Sequence, residues 1–226
     1  MSRTVPREIA GHDCRVWPEE VVRSGWAARF GLSRRAPRPL VVDVGFGGGE
    51  FLTELARRDP DALFVGLEGS FKRVLKLARR LSRSDLRNVR LMAIDAAWAV
   101  DHSFEDESVT AFWINFPDPW SKRRHQRRRL VDARFVRRLA QRLIPSGSLH
   151  VATDDSEYAQ SISRVLEGER RLENVHAPAL HRHERPEHAA TCYQLTMGAS
   201  GRCCCFYHYQ RTASATSALD THGCDS

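Results

Sequence analysis

The stretch "LVVDVGFGGGEFLTELARR", residues 40–58, decides the fold. Its first residues form an apolar, β-branched run of strand length, which reads as a buried strand. The run closes on Gly45, Gly47 and Gly49, and Phe51, Leu52, Leu55 and Ala56 then recur at helical spacing. Strand, glycine turn and helix in that order are the opening unit of a parallel α/β sheet. Glycines belong in such a turn because a ligand approaches the backbone closely and φ can be positive there. A dinucleotide fingerprint would place glycine or alanine at position 50, where this chain has Glu50. With Asp43 and Glu50 beside it, the turn suits a ligand that lacks phosphate and carries a cationic centre. S-adenosylmethionine, with its sulfonium and ammonium groups, meets both conditions.

The pattern repeats outward along the chain. "LFVGLE" (63–68), "VRLMAI" (89–94), "VTAFWINF" (109–116) and "SLHVAT" (148–153) read as further strands. Val74, Leu75, Leu77, Ala78 and Leu81 mark one helix face, and Phe135, Val136, Leu139 and Leu143 a second, stopped by "PSG" at 145–147. Tyr158, Ile162, Val165 and Leu166 line a third. Alternating strands and helices predict a Rossmann-like, mostly parallel sheet with helices on both faces. Such sheets bind ligands beyond the carboxyl ends of their strands. The polar residues of interest fall there: Asp43 to Gly49, Glu68, Asp95, Asp118 and Asp154. Glu68 is placed to accept both ribose hydroxyls. Asp95 is placed to accept from an adenine amine, or else to cap the helix that follows.

At 226 residues the chain suits one α/β domain. We expect an N-terminal extension over 1–38, with a short helix around Glu19–Arg29, then the domain over 39–211 and a disordered small, polar tail over 212–226. The formal charge of +7 is uneven: residues 121–142 hold ten Lys or Arg against one acid, Asp132. That clustering points to a polyanionic partner rather than a diffuse solvated face. Six cysteines show no CxxC pair and no histidine at zinc spacing, so reduced, small, buried thiols and no metal are expected. With no apolar leader and no run of transmembrane length, the reading is a cytoplasmic protein without membrane attachment. A monomer is expected.

"DVGFGGGEFL", "FVGLEGS", "NVRLMAIDA", "FPDPWSKRRHQRRRLV" and "HVATDDSEYA" occur in the order found in bacterial tRNA (guanine-N7)-methyltransferases, and residues 40–167 resemble that family. The glycine turn is generic to many methyltransferases, whereas the block from Phe116 to Leu130 is highly specific. The resemblance implies a class I methyltransferase fold, S-adenosylmethionine as donor and N7 of guanine 46 in the tRNA variable loop as acceptor. It assigns Asp43, Gly45, Gly47, Glu68, Asp95 and Asp118 to the donor, with Asp118 also in catalysis. It assigns Lys122, Asp154, Thr191 and Gln194 to the substrate. The family has a glutamate where this chain has Gln194, which keeps an acceptor oxygen but loses the charge. Arg123, Arg124, Arg127, Arg128 and Arg129 are then expected on phosphates. Trp120 is expected to pack under the loop rather than stack on a base, and His125 to be passive. The rival readings are a non-catalytic RNA-binding protein that kept the fold and, disfavoured by Glu50, an NAD-dependent oxidoreductase.

Overall fold

The computed structural model describes residues 8–32, 38–183 and 203–213. Five parallel strands, β1 (Leu40–Val44), β2 (Leu63–Glu68), β3 (Val89–Ala93), β4 (Val109–Asn115) and β5 (Leu143–Thr153), stand in spatial order 3-2-1-4-5. Two antiparallel strands follow on the β5 side, first β7 (Cys205–Arg211) and then β6 (Leu172–Asn174). The chain builds outward from β1 to β3, then crosses back to β4. The order therefore reverses between β1 and β4, and the crevice beyond their carboxyl ends is where such a sheet takes a ligand.

Among the described residues, six helices cover the sheet: α1 (Pro18–Arg29), α2 (Glu50–Arg58), α3 (Phe71–Leu81), α4 (Ala96–His102), α5 (Ala133–Arg142) and α6 (Ser156–Glu167). Because strand side chains alternate between faces, β2 sends Leu63, Val65 and Leu67 one way and Phe64 the other. The first set joins a core with Trp26, Val100, Phe135, Leu139 and Ile162, from α1, α4, α5 and α6. The second joins Leu52, Leu77, Ala78 and Leu81, from α2 and α3. Among the described residues no helix is long and apolar enough to cross a membrane.

The segment before β1 is built into this core. Leu91 of β3 donates its N–H to Cys14 O and accepts from Val16 N, both at 2.9 Å, so Cys14–Val16 adds a short parallel bridge to the outer sheet edge. Covering an edge removes a template for pairing with other chains. Helix α1 is broken at Gly25 (φ 72°, ψ 171°), and Trp26 then stacks on Phe104 and donates to Ser103 O at 2.7 Å.

Two further expectations change. Helix α5 ends at Arg142 and β5 starts at once with Leu143, not at Ser148. Val109 pairs with Leu143 but Ala111 with Ser148, so "PSG" lies in a bulge and the regular register begins where the strand was expected. Nor are the cysteines uniformly buried. Among the described ones only Cys14 is; Cys203 is exposed and Cys204 and Cys205 are half-exposed.

Tyr158 ties α6 to the loop before α5. It is fully buried, and its hydroxyl accepts the Val131 N–H at 2.9 Å. Burial pushes its pKa up to about 12, so it stays a neutral phenol. Tyr158→Phe strands that N–H, and we expect a loss of about 1–3 kcal/mol in urea unfolding. An unchanged midpoint would mean the N–H finds another partner.

Candidate functional site

The turn after β1 carries three positive φ values, 74° at Gly45, 58° at Gly47 and 79° at Gly49, a region that side chains other than glycine rarely adopt. Gly45 donates to Leu67 O at 2.8 Å, which bends the turn toward β2. A Cβ on Gly45 would meet nothing within 4 Å, and one on Gly47 only Gly45 O at 4.0 Å. The space such atoms would fill is open cleft. Below the turn, Asp43 is only 2 % exposed yet borders that cleft.

Glu68, 8 % exposed at the end of β2, is held from three directions. Its Oε2 accepts Gly47 N–H at 3.1 Å, its Oε1 accepts Ser70 N–H at 2.9 Å, and Arg73 Nη1 lies 3.6 Å from Oε2. The carboxylate thus braces the glycine turn and keeps lone pairs for a ligand. Asp95 combines its two expected roles. It caps α4, accepting Trp98 N–H at 2.9 Å, while remaining exposed on the cleft wall.

At the end of β4 the backbone turns sharply outward. Phe116 (φ 51°) and Trp120 (φ 45°) both hold left-handed conformations, so "FPDPW" is a constrained loop. Asp118, exposed at its apex, lies where two open clefts of about 900 and 910 Å³ meet. The first runs along the glycine turn; the second runs past Glu68 and Asp95 to Trp120 and Arg128. Both are also bordered by Arg73 and Asn115, which the sequence reading missed. Asn115 carried a signal, as the polar residue closing an apolar run. Arg73 carried none, because its value lies in the pairing with Glu68.

The basic stretch folds as a 3₁₀ turn, Arg123–Arg128. Lys122, Arg123, Arg124, Arg127 and Arg128 are exposed on it. Trp120 is half-exposed on the second cleft rather than packed under the loop, and it contacts the turn: the Arg128 guanidinium lies 5.1 Å from its ring and the His125 ring meets it edge-on at 5.9 Å. His125 also accepts from Arg124 Nε at 3.2 Å, so it belongs to the turn's internal bracing.

Arg129 requires a correction. Its side chain is only 9 % exposed, donates to Pro119 O at 2.7 Å, pairs with Glu157 at 3.3 Å and lies over Tyr158. Already desolvated and engaged, it fixes the "FPDPW" loop to α6 and is not free for a phosphate. The acids after β5 divide their work. Asp155 caps α6, accepting Tyr158 N–H at 2.7 Å, and Asp154 is half-exposed beside it. Thr191 and Gln194 lie outside the described residues.

Comparison with known proteins agrees with this geometry. A family model described as "Putative methyltransferase" matches residues 37–199. The tRNA (guanine-N(7)-)-methyltransferase of Alkalilimnicola ehrlichii is 43% identical over 158 residues, covering 69% of this chain and 66% of that protein. The enzyme of the same name from Halorhodospira halophila is 38% identical, covering 72% of this chain and 71% of that one. Among solved structures, the 16S rRNA methyltransferase KamB superposes with a TM-score of 0.59 at 15% identity, over 83% of this chain and 94% of that one. That likeness concerns the fold, which is the class I methyltransferase fold. With the family model spanning most of the chain and relatives at these identities, this chain belongs to the bacterial tRNA (guanine-N(7)-)-methyltransferase family.

Proposed function

We propose that this chain transfers the methyl group of S-adenosylmethionine to N7 of guanine 46 in the variable loop of tRNA. The chain spans about two thirds of the length of the Alkalilimnicola relative, so activity and substrate are inferred from its own site as well as from that name. One observation carries the reading: a single carboxylate, Asp118, stands where an acidic cleft meets a turn of exposed cations.

The residues present fit the donor. Open space above Gly45 and Gly47 admits it against the backbone, Asp43 offers charge near its cationic end, and Glu68 and Asp95 offer acceptors for ribose and adenine. When bound, the donor supplies an electrophilic methyl group. Guanine N7 keeps an in-plane lone pair and attacks without first losing a proton. The protein's work is therefore alignment and charge compensation, not general-base catalysis. In this reading Asp118 accepts from the guanine N–H edge and offsets the positive charge that grows on the ring. Lys122, Asp154, Thr191 and Gln194 complete the acceptor side, and the enzyme acts as a cytoplasmic monomer.

The test is incubation of unmodified tRNA with protein and donor, followed by nucleoside mass spectrometry and aniline cleavage. Appearance of 7-methylguanosine with strand scission in the variable loop is expected. Absence of new methylation would favour a non-catalytic RNA-binding role, the reading that Gln194 raises.

Arg123, Arg124, Arg127 and Arg128 are proposed to hold phosphates around the nucleotide. Each such contact releases counterions, so tRNA affinity falls steeply with salt. Arg123→Gln combined with Arg127→Gln should lower the slope of log affinity against log salt by about 1–2. Donor affinity should not change. Arg129→Gln should leave the slope alone, since Arg129 is turned inward. Filter binding across a several-fold salt range reads all three; equal slopes in wild type and double variant would remove the phosphate role.

A further inference from the structure

The spacing of the cysteines along the chain hides a cluster that the fold assembles. After β6 the chain runs back beside β7, where Arg182 and Phe206 form an antiparallel pair, each donating its N–H to the other's carbonyl at 2.9 and 2.8 Å. The residues flanking such a pair lie opposite one another on the other face of the ribbon, where cross-strand side chains approach most closely. On that face His181 stands opposite Tyr207, and His183 opposite Cys205. The ring contacts agree: His181 lies 5.2 Å from Tyr207 and 5.0 Å from His183. The potential ligand atoms of His181, His183 and Cys205 all lie within 4.8 Å of one another. Cys203, two residues before Cys205, brings its Sγ to 3.0 Å from His183 Nδ1.

We infer that His181, His183, Cys203 and Cys205 form a structural zinc site. Two imidazoles and two thiols are a donor set that zinc favours, and a closed tetrahedral site of this kind contributes to folding. Zinc–ligand lengths of about 2.0–2.3 Å place ligand atoms about 3.5 Å apart, so shifts of roughly 1 Å bring His181, His183 and Cys205 to that spacing, and a side-chain rotation of Cys203, already beside His183, supplies the fourth ligand. A second observation points the same way. His181 Nδ1 is buried and finds no hydrogen-bond partner among the described residues, a state that a metal bond relieves. Tyr207, whose ring packs on His181, is itself fixed by its hydroxyl donating to Ala159 O at 2.8 Å, which orients the site's inner wall. The H-x-H pair precedes and the C-x-C pair follows residues 184–202, the segment that contains Thr191 and Gln194. Zinc there holds together the two chain ends that lead into and out of that segment.

The experiment is metal analysis of the full chain purified without chelator, then reloading of the stripped protein with cobalt(II). About one zinc per chain is expected, and cobalt should give a thiolate-to-metal charge-transfer band with the intense d–d absorption of a tetrahedral site. Cys205→Ser and His183→Ala should each weaken zinc by at least about 10–100-fold, the loss that even outer-shell changes produce at such sites. Cys204→Ser, on the opposite face of the strand, should bind zinc as wild type does. Absence of stoichiometric zinc or cobalt uptake by the unaltered chain would overturn the site, whether or not the variants fold. Equal affinity in Cys204→Ser and Cys205→Ser would overturn it too. These readouts do not depend on methyl transfer, so they stand apart from the proposed activity.

Discussion

Asp118→Asn should lower turnover on tRNA by about 10²–10³-fold, the size of loss seen when one preorganised electrostatic group is removed. Donor affinity should change little. The substitution keeps the shape of the side chain and one acceptor oxygen, but it removes the charge and turns an N–H₂ toward the guanine edge proposed to bind there, which also donates. The loop around it has little freedom to compensate. Phe116 and Trp120 hold left-handed backbone, Pro117 and Pro119 fix φ on either side, and Arg129, itself held by Glu157 and Tyr158 of α6, clamps Pro119 O. A group held this firmly is useful where charge develops, because it needs no reorganisation when the methyl group moves. Single-turnover rates with saturating donor, beside calorimetric donor affinity, separate the possibilities. Parallel losses in both would confine Asp118 to donor binding.

The strand-end acids were legible because a buried parallel strand is an apolar run, and the first polar residue to close it marks the mouth of the sheet. Glu68 and Asp95 are readable on that basis, whereas β4 closes on Asn115 and Asp118 follows three residues later in the "FPDPW" loop. Asp43 departs from it slightly, lying within β1 and nearly inaccessible to solvent. What sequence could not give was any role fixed by distant pairing. Arg129 reads as one more cation in a basic run, and only Glu157 and Tyr158, nearly thirty residues on, make it a structural clamp. Likewise the N-terminal segment reads as an extension until Leu91 pairs with Cys14 and Val16. The histidines and cysteines at 181–183 and 203–205 share no motif spacing; an antiparallel pairing across an intervening segment brings them together. "PSG" reads as the stop of a helix that runs through Leu143, whereas the helix ends at Arg142 and "PSG" sits in the bulge of a strand that has already begun.

Glu68→Ala should weaken S-adenosylmethionine by about 1.5–3 kcal/mol, the value of hydrogen bonds to a charged group. That loss alone would not assign the contact, because Glu68 does two things. It accepts the N–H groups of Gly47 and Ser70, and it faces the cleft where the ribose is proposed to lie. Alanine removes both the brace and the acceptor. Glu68→Gln divides them only partly: one oxygen remains for one N–H, and the amide opposes the other. A cycle across protein and ligand isolates the contact. Binding of S-adenosylhomocysteine and of its analogue lacking a ribose hydroxyl is measured against wild type and Glu68→Ala. If Glu68 accepts from that hydroxyl, removing it costs wild type more than about 1 kcal/mol and the variant almost nothing. If Glu68 only braces the turn, the hydroxyl is worth the same in both proteins, and the ribose partner must be sought elsewhere along the cleft.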